Sequence, residues 1–295
     1  MTLTHILIFI AAALFYLALL PARWRAWALF VGSIVAIYWL QPATRIRTLD
    51  FIFPTATLAL VALAWLASRA PDQGWRREDT ASALLMAALV IALSLGRYIV
   101  PEYRITPSRP PAPATVALVV LATVALLALL RRVPRPNRRL AGPVLLFIVI
   151  VFVVLKTGPL AEATSGWIRE RMGQPAALAT AAELEWLGFS YVSFRLISTL
   201  RDRQTGRLPA MTLREYTTYA IFFPAYTAGP IDRAERFLPD LHTLPGPDPA
   251  WLAQGSMRIA VGIGKRFVIA DSLALFALDA AKAQQADSVA GLWVL

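Results

Sequence analysis

The chain contains no cysteine. That absence excludes disulfides, thiolate nucleophiles and thiolate metal sites together. Histidine is almost missing too: His5 and His242 are the only two in 295 residues, so little of the chain can do imidazole chemistry. Charge is scarce, at 16% Asp, Glu, Lys and Arg, where a soluble domain carries about 25%. Apolar residues take its place, with 58% hydrophobic residues and a mean hydropathy of +0.58. They gather in runs at 3–20, 24–40, 49–67, 80–100, 114–130, 143–155, 176–200, 213–226 and 255–281. Several reach the ~20 residues a helix needs to cross a bilayer. The pattern predicts an all-α, polytopic integral membrane protein with roughly nine transmembrane helices, forming one membrane-embedded domain over 1–295. The first run has no basic leader and no small-residue cleavage site, so it reads as a retained span.

A net charge of +11 and an isoelectric point near 10.6 raise the question of nucleic acid. The basic residues instead sit in short loops between apolar runs, with no basic stripe on a soluble element, and nucleic acid is set aside. Loops after the first, third, fifth and seventh runs carry Arg23 and Arg25, then Arg69, Arg76 and Arg77, then Arg131, Arg132, Arg135, Arg138 and Arg139, then Arg201, Arg203, Arg207 and Arg214. The alternate loops are less basic. Odd loops are therefore expected in the cytoplasm and the N-terminus outside it, in a multi-pass protein of the cell (inner) membrane.

Three segments depart from generic membrane sequence. The first, 187–200, places Gly188, Tyr191, Arg195, Ser198 and Asp202 on one helical stripe. Arg195 either snorkels toward the basic end of its span or lines a wet cavity. In the second, Phe222-Phe223-Pro224-Ala225-Tyr226-Thr227-Ala228-Gly229-Pro230-Ile231-Asp232-Arg233, two prolines each remove a backbone donor and bar a regular helix. Gly229 adds conformational freedom. Non-helical backbone at membrane depth survives only inside protein or along a water-filled cavity, so a broken or re-entrant segment is expected. Asp232, Arg233, Glu235 and Arg236 then pair locally, meet an anionic substrate, or are solvated in an interfacial loop. The third, 259–273, shares with Arg258 a stripe formed by Gly262, Lys265 and Ile269, so that one face is basic. It suits either an interfacial helix or a cytoplasmic entrance for an acidic donor.

In this order the three segments resemble the membrane-bound O-acyltransferase family. The likeness is to its bacterial branch, which D-alanylates lipoteichoic acid or O-acetylates alginate. The carriers are Gly188-Phe189-Ser190-Tyr191-Val192-Ser193-Phe194; the Phe222-Phe223-Pro224…Gly229-Pro230-Ile231 loop with Arg233, Arg236 and Phe237; and Gly262…Lys265-Arg266…Ile269-Ala270-Asp271. Ser190-Tyr191…Phe194-Arg195 with Gly229-Pro230-Ile231-Asp232-Arg233 looks closer to the D-alanyl members. The likeness covers 187–274, while 1–186 match only as a series of spans.

The resemblance implies transfer of an acyl group from a cytoplasmic thioester donor, such as an acyl carrier protein, to a hydroxyl of a cell-surface polysaccharide or teichoic-type polymer. It implies a reaction tunnel shaped by Tyr191, Arg195, Pro224, Gly229, Pro230, Asp232 and Arg233, with Lys265 and Arg266 on the donor side. It implies no metal and no tightly held organic cofactor. The family's general base is a histidine well beyond the Ile-Ala-Asp helix. His5 and His242 do not fit it, the latter reading as part of a polar turn. The expectation is a chain that lacks the family's C-terminal part, with the catalytic histidine beyond Leu295 and no activity alone. A transporter with a discontinuous helix, disfavoured by the lack of an inverted repeat, and a non-catalytic scaffold are the alternatives.

Overall fold

The computed structural model describes residues 3–70, 73–100, 102, 105–130, 132, 136–227, 229, 232–243 and 248–274. All regular structure among them is helical. The chain divides into two compact units, Met1–Leu244 and Pro245–Leu295.

The first unit holds α1 (Leu3–Leu19), α2 (Ala22–Leu40), α3 (Leu49–Ser68), α4 (Arg77–Ile99), α5 (Pro113–Leu130), α6 (Pro136–Lys156), α7 (Gly158–Arg171), α8 (Phe189–Gln204), α9 (Leu213–Ala220) and α10 (Ala234–His242). Among the described residues, four stretches are long and apolar enough to cross a membrane: α3, α4, α5 and the Arg139–Lys156 part of α6. Thr4–Leu19 of α1 is apolar but shorter. Burial separates their roles. The apolar window of α3 is 72% buried inside the protein, against 11–22% for the other three. Helix α3 is thus the axis of the unit, packed against α2, α5, α6, α8 and α9. On α5 and α6, Leu118, Leu121, Leu129, Leu146, Phe147 and Ile150 point outward with no protein over them. In water such a surface would drive association; hydrocarbon is the solvent it suits, because the helical backbone leaves no polar group unpaired there.

Helices α3 and α8 run in the same direction, and their ends are pinned by polar contacts. At the N-terminal end Trp186 stacks on Phe53 with 4.8 Å between ring centroids and donates its indole N–H to Thr57 Oγ1 at 2.9 Å. Gln41 Nε2 donates to the Glu185 carbonyl there at 2.7 Å. At the other end Arg203 Nε donates to the Ser68 carbonyl at 2.5 Å, and Trp65 Nε1 to the Met211 carbonyl at 3.0 Å. The loops following α3 and α8 therefore meet at one end of the unit, and the loops preceding them at the other.

Two apolar runs are not single helices. Residues 176–200 contain 3₁₀ turns at Ala176–Leu178 and Ala181–Glu183, and α8 begins only at Phe189. Alanine-rich composition made the stretch hydrophobic, but Pro175 and left-handed Gly188 bound it and Glu183 is needed elsewhere. The run 213–226 is helical only to Ala220. Conversely, α7 arises where a loop was expected.

Glu183 ends the second of these 3₁₀ turns. It is buried, and its carboxylate accepts from Ser165 Oγ at 2.5 Å, from Arg169 Nε at 2.8 Å and from Arg169 Nη2. The Arg169 guanidinium holds the Glu183 carboxyl down at about 2, against the opposing effect of burial. A carboxyl depressed in the folded state stabilises above its ordinary pKa, and that contribution fades as pH falls toward 2. We expect the protection of α7 amides, relative to the unprotected exchange rate at each pH, to fall between about pH 4.5 and 2. Glu183→Gln should show the lower protection already at pH 7; identical exchange in the two proteins at pH 7 would remove the pair as the α7 anchor.

The second unit contains α11 (Pro249–Ile263), whose N-cap Asp248 accepts from Ala250 N at 2.9 Å. A π-helical stretch, Gly264–Ala270, and α12 (Asp271–Ala274) follow.

Candidate functional site

The broken segment is a helical hairpin. Its first arm, α9, starts at Thr212, whose side chain caps Glu215 N while Glu215 Oε2 accepts from Thr212 N at 2.8 Å. This reciprocal capping box satisfies two of the donors a helix start leaves open. Asp79, on α4, takes a third by accepting from Leu213 N at 2.9 Å.

Eight residues later the helix stops because Pro224 lies ahead. Proline supplies no N–H and its ring crowds the carbonyl four residues back, here Ala220. The chain turns through the 3₁₀ stretch Phe223–Ala225 instead. That leaves the carbonyls of Tyr219 and Ala220 without helical partners. Arg195 supplies them. Its Nη1 donates to Tyr219 O at 3.2 Å and Ala220 O at 3.1 Å, and its Nη2 donates to Ala225 O at 3.1 Å. The guanidinium also lies 5.9 Å from the Tyr219 ring centroid. Arg195 is 3% exposed, so it neither snorkels nor opens onto a wide wet cavity. It is a buried clamp on the break, and the negative end of α9 favours its charge.

At the apex, fully buried Tyr226 donates its hydroxyl to the Leu187 carbonyl at 2.8 Å. Its ring lies over Gly188, which caps α8 at φ +72°; a Cβ there would come within 2.5–2.8 Å of the ring. Gly229 answers a second close approach, since a Cβ would meet Ala225 Cβ at 2.4 Å and Cα at 2.5 Å.

The return arm is α10. Tyr219 Oη donates to the Asp232 carbonyl at 2.8 Å, and Phe237 packs on Tyr219 and Phe222 at 5.5 and 5.2 Å. His242 Nε2 lies 2.6 Å from Glu215 Oε1, which brings the end of α10 back to the start of α9. His242 is the last residue of α10, not part of a loop. On the outer side Asp232, Arg233, Glu235, Arg236, Pro239 and Asp240 line an open charged depression.

The structure therefore brings Pro224, Gly229, Asp232 and Arg233 into one hairpin clamped by Arg195 from α8, with Tyr191 half-buried one turn before Arg195. Pro230 lies outside the described residues. Lys265 and Arg266 are exposed in the second unit, where Arg266 pairs with Asp271. Sequence reasoning missed Tyr219, Tyr226 and Glu215. Only Glu215 had a local signal, the Thr212-x-x-Glu215 spacing of a capping box.

Fold and site define a class: an all-helical chain with membrane-length apolar helices around a buried, arginine-clamped helix break. Two teichoic acid D-alanyltransferases are similar to it. The one from Streptococcus thermophilus is 34% identical over 113 residues, which cover 38% of this chain and 27% of that protein. The one from Lacticaseibacillus rhamnosus is 34% identical over 65 residues, covering 22% of this chain and 16% of that protein. The matches thus span well under a third of either relative. They support a family-level resemblance to the membrane-bound O-acyltransferases. No family model matches the chain, and no solved structure matches it.

Proposed function

We propose that this chain is part of a membrane-embedded acyltransferase of the membrane-bound O-acyltransferase type, which moves an acyl group onto a hydroxyl of a cell-surface polymer. The acyl group favoured by the likeness is D-alanyl, delivered as a cytoplasmic thioester on a carrier protein. The observation that carries this reading is the clamped hairpin. The segment that carries the resemblance to the family is also the place where the helix breaks, and a buried cation clamps that break. Such a break puts backbone carbonyls and side chains, not a smooth apolar wall, at membrane depth.

On this reading the nine apolar runs form one membrane domain, with the basic loops after α3 and α8 in the cytoplasm and the N-terminus outside. Their convergence at one end of the first unit supports the alternation. Tyr191, Pro224, Gly229, Pro230, Asp232 and Arg233 shape the acceptor tunnel, Arg195 acts as a positioning residue, and Lys265 with Arg266 meets the donor. The base that removes the acceptor's proton belongs, by the resemblance, C-terminal to Ile269-Ala270-Asp271. His242 is engaged with Glu215.

The test uses the gene at its own locus. Deletion should lower the base-labile D-alanine released from the cell envelope, and Arg233→Ala should lower it as far with the protein still present in the membrane. Unchanged D-alanine and acetate esters after deletion would overturn the reading. Loss of acetate alone would overturn the D-alanyl assignment.

A further inference from the structure

Between α3, α4 and α5 runs an apolar groove that the hairpin does not use. Its wider part, about 170 Å³, is bounded by Trp65, Trp75, Ala83 and Ala128. It continues past the shared residues Ala62, Ala83, Val124 and Leu127 into a narrower part ending at Val90. From Thr80 to Val90 that is ten residues of helix, about 15 Å at 1.5 Å per residue. Half the ~30 Å hydrocarbon thickness is the same length. The groove begins in the first turn of α4 and so spans the depth of one leaflet's acyl chains.

Charge stands at its mouth. Arg69 lies 5.2 Å from the Trp65 ring and 5.4 Å from the Trp75 ring, the two aromatics of the wide end. Its Nη2 donates to the Gln73 carbonyl at 2.5 Å, and it makes no ion pair among the described residues. Arg76 and Arg77 are exposed beside it. Among the described acids at this end, Glu78 pairs with Arg214 at 2.7 Å, and Asp79 is buried, accepting from the backbone N–H groups of Arg76 and Leu213. An apolar trough one leaflet deep, with tryptophans and arginines at its rim, matches the tail, interface and headgroup of a lipid in that order.

We propose that this groove binds one acyl chain of an anionic glycerophospholipid, with the phosphate at Arg69 and Arg76 and Arg77 close by. The site needs a bilayer but no acyl transfer, so it stands apart from the enzymatic reading. Its small side chains, Ala62, Ala83, Ala87 and Ala128, leave the space that the tail fills. Without a tail the groove would forfeit dispersion contacts along its whole length.

The protein reconstituted in nanodiscs of equimolar phosphatidylglycerol and phosphatidylcholine, then extracted stepwise in detergent, would have its co-purifying lipid measured by mass spectrometry. Retained phosphatidylglycerol should exceed phosphatidylcholine by about fivefold, the scale of one arginine at a headgroup. Arg69→Gln should bring the ratio close to one. Ala83→Phe and Ala128→Phe, which fill the groove, should each abolish retention of both lipids, while Leu118→Phe on the open face of α5 should not. Equal retention of the two lipids by the unaltered protein would overturn the site. So would a preference that survives either Arg69→Gln or both filling variants.

Discussion

Arg195→Ala should collapse the hairpin. The substitution removes the donors for three buried carbonyls, those of Tyr219, Ala220 and Ala225. A buried acceptor left without a partner costs about 1–3 kcal/mol, so the total is on the order of 3–5 kcal/mol, as in other breaks of buried charged networks. Two neighbouring positions cannot replace the lost donors, because Pro224 has no N–H and the Ala225 amide already bonds to the Phe222 carbonyl at 3.0 Å. We expect a lower thermal midpoint in detergent and rapid amide exchange confined at first to α9 and α10. Arg195→Lys should fall between the two proteins. It keeps the charge, but a single ammonium cannot span carbonyls that the two arms of a planar guanidinium reach separately. Arg195→Ala with an unchanged midpoint and unchanged exchange in α9 would show that the break supports itself.

That role was not legible at Arg195 alone. A helical wheel puts the residue on a polar stripe and offers two destinations, the interface or a wet cavity. The actual partners are orphaned carbonyls 24–30 residues further on, created by Pro224. The break itself could be read directly, because a missing N–H and a ring clash are local facts. Thr212 and Glu215 could be read from their spacing, and the outwardly apolar helices α5 and α6 from composition. What stayed hidden depends on distant chain meeting. Asp79 caps α9 from 134 residues away, and the Arg169–Glu183 pair converts an alanine-rich run into turns instead of a span. Hydropathy reports where apolar residues lie, not whether the backbone between them is helical.

The second large effect is expected at Gly188, where two demands coincide. Its φ of +72° lies in the left-handed region, which costs a residue with a Cβ about 1 kcal/mol or more. The added methyl would also stand 2.5–2.8 Å from three atoms of the Tyr226 ring. That ring is fully buried and tied by its hydroxyl to Leu187 O at 2.8 Å, so it cannot withdraw without losing its bond and its packing. Overpacking of this kind adds about 1–3 kcal/mol. Gly188→Ala should therefore destabilise by about 3 kcal/mol in total and free the apex of the hairpin from α8. Tyr226→Phe, which leaves the ring and removes only the hydroxyl, should cost about 1 kcal/mol. The two contributions at Gly188 separate in a double-mutant comparison. In a Tyr226→Ala background the clash is gone, and adding Gly188→Ala should then cost only the backbone part, about 1 kcal/mol. The same loss in both backgrounds would mean that backbone conformation alone, and not the ring, requires glycine at the start of α8. The smaller loss would mean that the glycine is there to let Tyr226 close the hairpin against the helix that carries Arg195, so that cap, clamp and break act as one unit.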